Sequence, residues 1–328
     1  MSYAEAVELA GACLAKVGVP PDQSRLVAEP VVYAEAAGVP SHGLLRIPYL
    51  AAQVTSGKLR PCSPSVHSPW PHIVLIDALG GFGYVAAGVA VDVLARTVPQ
   101  TGLAFAAVSN SHHFGAAGYF TEKLAAQGFV GLACSNTFGA IAPLHGRSAL
   151  LGNDPLSLAV PTTSAPVVID LAPAVVARGR IVKAREEGMA IPDGWALDAA
   201  GNPTTNPGDA LDGTLRAAGG HKGVVLAMLL DLLIATATAS NLPAAASSVY
   251  TADGPPPGLG HILLAFDPER LGVSGARDKV TAYLAGLLAD GGTAARLPND
   301  RRREALIAAR RNGLEIAADL VEKLRRIR

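Results

Sequence analysis

Apolar and polar positions along this chain follow two periods, and their order predicts a mixed α/β protein. Residues 2–18 (SYAEAVELAGACLAKVG) repeat apolar positions at helical spacing and stop at Gly18 and Pro20-Pro21. Asp22 can cap a second helix running to Gly38, and a third is expected over 44–56 after the Pro40-Ser41-His42-Gly43 turn. Segment 61–71 is proline-rich and reads as irregular. Strands are expected at 72–78 and 103–108, and helices at 84–98 and 119–127. Further along, 128–135, 159–160 and 167–171 are strand candidates. Segment 187–215 reads as loop, with turn signals at Pro192, Gly194, Gly201-Asn202-Pro203 and Asn206-Pro207-Gly208. Segment 222–240 reads as a buried helix, and 253–260 (DGPPPGLG) as the strongest linker signal. A strand at 261–267 and helices at 276–290 and 301–326 complete the chain. The N- and C-terminal helices are expected to join in one helical subdomain beside a mixed sheet.

Composition narrows the function classes. Of 328 residues, 50% are hydrophobic and 16% charged, which argues for a packed core and against disorder. The 27 basic and 27 acidic residues cancel, so nucleic-acid binding through a basic face is not expected. Local asymmetry exists near the end, where Arg301, Arg302, Arg303, Arg310, Arg311, Lys323, Arg325, Arg326 and Arg328 gather. A solvated helix face accounts for them; holding a phosphate-bearing cofactor is the alternative. Cys13, Cys62 and Cys134 are odd in number and widely spaced, which fits a reducing compartment and no CxxC metal site. The first ten residues (MSYAEAVELA) carry acids and no basic-then-apolar block, so a cytoplasmic protein without a signal peptide is expected. The apolar run 224–239 is interrupted by Asp231 and falls short of the about 20 residues of a membrane span.

The candidate chemistry begins at Ser109 to Tyr119 (SNSHHFGAAGY), directly after a strand. A histidine at the carboxyl end of a strand can exchange protons near neutral pH. Neighbouring residues in extended structure point to opposite faces, so only one of His112 and His113 should enter a given site, and either can be purely structural. No third ligand stands at a metal-binding spacing, so no metal is expected. Ser41-His42-Gly43-Leu44-Leu45-Arg46 places a hydroxyl, an imidazole and a guanidinium at a loop-to-helix junction, with Arg46 about one turn from His42. A guanidinium fork suits a substrate carboxylate; Ser41 either orients the imidazole or caps the helix. Gly80-Gly81-Phe82-Gly83-Tyr84-Val85-Ala86 contains a GxGxxA spacing. No acid follows the next strand to hold a ribose, so the motif reads as a tight turn. Asn153 and Asp154, in the turn Leu151-Gly152-Asn153-Asp154-Pro155, can line a pocket as substrate contacts. Asp170 stands at a strand end, and Gly219-Gly220-His221-Lys222-Gly223 opens a helix with the ingredients of an anion site.

Together SHGLLR (41–46), NSHHFGAAGYF (110–120), LGNDPLSLAVPT (151–162), GWALDAAGNPTTNP (194–207), GGHKGVVLAMLLDLL (219–233) and LGHILLAFDP (259–268) resemble the malate/L-lactate dehydrogenase family of the second type. Its members include malate, sulfolactate and ureidoglycolate dehydrogenases and Δ1-piperideine-2-carboxylate reductases. The resemblance implies a non-Rossmann mixed-sheet NAD(P)-binding and dimerisation core over 61–269, and a helical subdomain from 1–60 plus 270–328. It implies NAD(P)H bound across a homodimer, with the basic tail tilting the expectation toward NADP. By the same resemblance His42 is the proton donor assisted by Ser41, and Arg46 takes the substrate carboxylate. His113, Phe114, Gly115 and Ala116 would lie against the nicotinamide, with His112 structural. Asp170, Leu171, Ala172, His221 and Lys222 would hold the cofactor, with Asn299, Asp300 and Arg301 closing over it.

Two departures qualify the resemblance. Asp170-Leu171-Ala172 is followed by Pro173-Ala174, where family members often carry Thr-Ser. Arg180 follows Gly179, where the cyclic-imine reductase branch has an acid completing a Ser–Asp–His relay. The expected activity is therefore NAD(P)-dependent interconversion of a 2-oxo acid and its 2-hydroxy acid. Reduction of Δ1-piperideine- or Δ1-pyrroline-2-carboxylate, and a catalytically silent cofactor-binding dimer, are the alternatives.

Overall fold

The computed structural model of the chain describes residues 1–327. Helix α1 (Tyr3–Lys16) opens on a capping box: the Glu5 N–H donates to the Ser2 hydroxyl and the Ser2 N–H to the Glu5 carboxylate. Helix α2 (Pro21–Ala36) starts on proline, where a missing N–H costs nothing. A 3-10 turn (Pro40–His42) leads to α3 (Arg46–Thr55). The chain continues through β1 (Ser65–Trp70), β2 (Ile73–Asp77), α4 (Gly83–Thr101), β3 (Leu103–Ser111), α5 (Ala117–Ala125), β4 (Val130–Ser135), β5 (Gly139–Ile141) and β6 (Leu151–Gly152). Then follow β7 (Leu156–Val160), β8 (Val167–Leu171), α6 (Arg178–Glu186), β9 (Ala196–Leu197), β10 (Pro203–Thr204), α7 (Pro207–Asp212) and β11 (Thr214–Leu215). Helix α8 (His221–Thr238), β12 (Leu259–Phe266), α9 (Ala276–Asp290), α10 (Asp300–Asn312) and α11 (Ala318–Arg325) complete it.

Seven strands form one sheet in the order β1-β2-β3-β12-β4-β7-β8. Only β2 and β3 pair in parallel, with α4 as their crossover; every other neighbour is antiparallel. A doubly wound nucleotide fold needs a mainly parallel sheet, so this is a different, mixed core. Apolar strand faces and α4 and α5 bury Ile76, Leu94, Val108, Phe120, Leu124 and Leu263 together. A separate cluster joins both chain ends: Leu14, Val27 and Ile47 pack with Leu306, Leu320 and Leu324. Five short strands make a second sheet in the order β10-β9-β11-β5-β6.

Several expectations change. Segment 61–71 is not irregular throughout, because β1 lies in it as an exposed edge strand. An edge can carry Pro69, which sits where the β1–β2 register shifts. Segment 187–215 holds three two-residue strands and α7, too short to show a period, and α6 escaped notice because only Ile181 and Ala184 of its charged sequence are buried. The expected helix 301–326 is two, parted at Gly313, whose φ is +89°. Helix α8 is not buried. One face carries Gly223, Ala227, Leu230 and Ile234 inward, while Val225, Met228, Leu229, Leu232 and Leu233 are 41–56% exposed. The glycines after β2 make a turn, in which the Gly81 N–H donates to the Ala78 carbonyl at 2.7 Å. A Cβ on Gly83 would lie 2.2 Å from the His112 carbonyl oxygen, so this glycine permits close backbone packing.

Candidate active site

The antiparallel order brings the ends of β3, β4 and β8 and the starts of β7 and β12 to one edge of the large sheet. A cavity of about 320 Å³ opens there, between that edge and the Ser41 turn. This is the lower end of the usual size for a small-molecule site.

Ser41, His42 and Arg46 all line the cavity. The Ser41 hydroxyl lies 3.0 Å from Nδ1 of His42, so it orients the ring; no side chain caps α3. Among the described residues no hydrogen bond engages Nε2 of His42. Burial, and then the charges of Arg46 and Arg302, push the His42 pKa down to about 3. Arg46 is only 5% exposed, and its Nε donates to the Ser41 carbonyl at 2.8 Å. Its Nη2 donates to the Tyr250 hydroxyl at 3.0 Å, with Cζ 4.3 Å from that ring's centroid.

The structure separates the paired histidines. His113 lines the cavity, its ring 5.3 Å from that of His42. The Gly115 N–H donates to Nδ1 of His113 at 3.0 Å, which puts the proton of the neutral ring on Nε2. Burial holds this ring neutral, reinforced by Arg46 and the neighbouring histidines. His112 is buried behind it; its Nδ1 accepts from the His113 N–H at 2.8 Å. Phe114 also borders the cavity, but it is 1% exposed and its ring stacks on His261 at 4.5 Å. His261 is held between Ser135 Oγ at 2.7 Å and Ser111 Oγ at 2.8 Å, which fixes the floor under this wall.

Asp170, Leu171 and Ala172 line the cavity as well. Asp170 pairs with Arg302 at 3.0 Å; burial raises its pKa and Arg302 opposes the rise. Among the described C-terminal arginines Arg302 is thus the one that lines the cavity, whereas Asn299, Asp300 and Arg301 border neighbouring grooves. Asn153 lines the cavity and accepts the Ala174 N–H at 2.8 Å. Asp154 does not reach it. This residue is wholly buried, accepts the Thr137 hydroxyl at 3.1 Å, and faces Asp231 of α8. His221 and Lys222 are exposed at the start of α8 and lie outside the cavity of their own chain.

Sequence reasoning missed Tyr250, Phe138 and Arg178, all of which line the cavity. Phe138 and Tyr250 meet edge to face at 6.0 Å, and the Arg178 Cζ lies 5.9 Å from the Phe138 centroid. None sits in a motif; Arg178 is brought in by the first turn of α6 and Tyr250 by the segment before β12. Arg180 has its guanidinium 5.6 Å from the Trp195 ring, and among the described residues no acid is hydrogen-bonded to the Ser41–His42 pair.

The sequence matches the malate/L-lactate dehydrogenase family over residues 1–325. The chain belongs to that family. This family member is accordingly an enzyme, an oxidoreductase. It is 38% identical over 99% of its length to (2R)-3-sulfolactate dehydrogenase (NADP(+)) of Chromohalobacter salexigens, covering 97% of that protein. The crystal structure of a dehydrogenase from Sinorhizobium meliloti superposes with a TM-score of 0.93 at 32% identity, covering 100% of this chain and 97% of that one. The Δ1-piperideine-2-carboxylate reductase of Pseudomonas syringae pvar. tomato gives 0.92 at 30% identity, with 100% and 99% covered. The residues of this family member fit a nicotinamide dinucleotide. Residues 113–116 line the cavity, and Arg302 is at hand to meet a phosphate. His113, Gly115, Asp170 and Arg302, all lining the cavity, are the residues that would hold the nicotinamide cofactor.

Proposed function

We propose that the protein interconverts a 2-oxo acid and its 2-hydroxy acid using NAD(P)H, with NADP preferred. The observation that carries this reading is the convergence of His42, Arg46 and His113 on one cavity. The bound nicotinamide would supply or take the hydride. Arg46 Nη2 and His113 Nε2–H hold the substrate carboxylate and thereby fix C2. Nε2 of His42 exchanges a proton with the C2 oxygen, and Ser41 keeps the ring in that orientation. In the cation-rich cavity the free imidazole is neutral, which is the form that removes the hydroxyl proton in oxidation. In reduction, an arriving anion offsets Arg46, so His42 gains a proton together with the substrate. His113, Phe114, Gly115, Ala116, Asp170, Leu171 and Ala172 form the cofactor side, with Asn153 steadying the wall between. Arg302, in the cavity lining, and Arg301, in the groove beside it, support a 2′-phosphate.

The exposed apolar face of α8 supports a homodimer in which His221 and Lys222 serve the partner's cofactor. The shared core of both termini supports a helical subdomain from 1–60 plus 270–328, beside a core over 61–269. Free Cys13, Cys62 and Cys134 support a cytoplasmic location. Reduction of a cyclic imine acid is the second reading, supported by the likeness to the Pseudomonas syringae reductase and weakened by the placement of Arg180.

The test follows NAD(P)H oxidation by absorbance against a panel of 2-oxo acids and cyclic imine acids. Turnover of 2-oxo acids is expected. Turnover of imines alone overturns the first reading, and cofactor binding without turnover of either makes the protein a silent binder.

A further inference from the structure

Segment 239–258, between α8 and β12, contains no helix or strand, yet it delivers Tyr250 to the substrate cavity. A stretch of that length is free to wander unless side chains from elsewhere hold it. Its anchor is the end of α3 and the turn that follows. Gln53, wholly buried, donates through Nε2 to the Val249 carbonyl at 2.9 Å. Lys58, 3% exposed, donates through Nζ to the carbonyls of Ser248 at 2.7 Å, Asp253 at 2.8 Å and Thr251 at 3.1 Å.

An ammonium has three N–H donors, and here each has its own carbonyl. No carboxylate joins them: among the described residues Lys58 forms no ion pair. A buried charge met only by carbonyl dipoles is a costly way to close a turn. What it achieves is geometric. The three carbonyls flank Tyr250 on both sides, so one ammonium fixes the backbone that carries that ring. Tyr250 in turn fixes Arg46. Its hydroxyl accepts from Nη2 of Arg46 at 3.0 Å, and its ring centroid lies 4.3 Å from the Arg46 Cζ. Tyr49 and Phe138 meet the Tyr250 ring edge to face at 5.7 and 6.0 Å. The bond from Arg46 Nε to the Ser41 carbonyl and the bond from Nη2 to Tyr250 together set the plane of the fork.

We propose that Lys58 is a positioning residue for substrate recognition: it holds segment 248–253 against α3, so that Tyr250 keeps the Arg46 guanidinium in place for the substrate carboxylate. This rests on the reading of Arg46 as the carboxylate clamp given above. Lys58 itself does not line the cavity. Its loss therefore weakens capture of the carboxylate and leaves the hydride and proton steps, which belong to the nicotinamide and His42, as they are.

The experiment measures kcat and KM at saturating NADPH, and the NADPH dissociation constant, in the wild type, Lys58→Met, Tyr250→Ala and the double variant. The substrate is whichever of oxaloacetate, pyruvate and Δ1-pyrroline-2-carboxylate the wild type turns over fastest. Methionine keeps the apolar stem and removes the charge. Lys58→Met and Tyr250→Ala should each raise KM about tenfold, with kcat and NADPH affinity holding within about threefold. Both act through one contact on Arg46, so the double variant should stay within about threefold of the worse single one; independent effects would multiply to about 100-fold. Deuterium uptake over 246–254 should rise in Lys58→Met while the strands of the large sheet stay protected. Lys58→Gln, shorter and neutral but still a donor, is the milder variant should Lys58→Met fail to fold, and a KM raised about fivefold is expected of it. An unaltered KM in the Lys58 variants, multiplying effects, or a loss confined to kcat or NADPH binding overturns the proposal. Turnover of the cyclic imine acid alone defeats the 2-oxo acid reading and leaves the test of Lys58 intact, because Arg46 takes a carboxylate from either substrate. A wild type that turns over none of the three defeats both.

Discussion

The Arg46 Nη2 lies 3.4 Å from Nε2 of His113, and both atoms are hydrogen-bond donors. The second assignment follows from Gly115, whose N–H occupies the other ring nitrogen. Two N–H groups converging on one cavity make a recognition element for an anionic oxygen. Arg46→Ala should therefore raise KM for the 2-oxo acid at least about 100-fold. His113→Gln, which keeps a donor near the same place, should raise it only about tenfold. Steady-state kinetics at saturating cofactor measure both, and an unaltered KM in Arg46→Ala contradicts the clamp.

Acid should weaken the fold through its buried imidazoles. Burial pushes His261 and His112 from 6.5 down to about 3. Below pH 6.5 the unfolded chain binds protons that the folded chain refuses, so stability falls as pH drops from there toward 3. Each such histidine contributes at most about 1.4 kcal/mol per pH unit in that window. Urea midpoints should fall between about pH 7 and about pH 5, and His261→Gln should flatten the slope. A wild-type midpoint that does not move across this range contradicts neutral burial.

Buried Asp154 and Asp231 make an opposite contribution. Burial, and then the charge of Asp231, raise the Asp154 pKa well above 3.8. The folded chain thus holds a proton that the unfolded chain releases, and stability falls as pH rises from 3.8 through the folded value. Asp154→Asn keeps an acceptor for Thr137 and removes the charge. It should be no less stable than the wild type near about pH 8, and its stability should fall less on the alkaline side. Chemical denaturation across pH decides this, and an unchanged pH slope rules out a proton held by the pair.

Much of this architecture was legible in the sequence, because long amphipathic segments and apolar strands announce themselves by period. The Ser41-His42-Arg46 cluster was legible too, since its spacing alone puts three groups on one turn. Asp154 misled because a polar turn residue reads as open to a pocket, whereas it is wholly buried facing Asp231 of α8. Arg178 and Tyr250 carry no local signal. They enter through α6 and the segment before β12, and only tertiary packing brings them together. Helix α8 was misjudged as buried because apolar composition does not say whether a core or a second chain covers it.

That second chain is testable. Leu229→Glu or Leu232→Glu, each placing a charge on the exposed apolar face of α8, should shift the protein from dimer to monomer in light scattering. Cofactor affinity should fall at least about tenfold alongside, since His221 and Lys222 act across the interface in this account. A monomeric wild type, or a variant that dimerises normally, contradicts the shared site.

The central claim is that His42 exchanges the proton while a 2-oxo acid accepts hydride. It is tested most directly by comparing NADPH oxidation by the wild type and His42→Ala, with the 2-hydroxy acid product quantified. The account predicts one 2-hydroxy acid formed per NADPH oxidised by the wild type. In the variant kcat should fall about 10²- to 10⁴-fold, with the NADPH dissociation constant unchanged. Undiminished turnover in His42→Ala, or a wild type that oxidises NADPH with no 2-oxo acid, would contradict it.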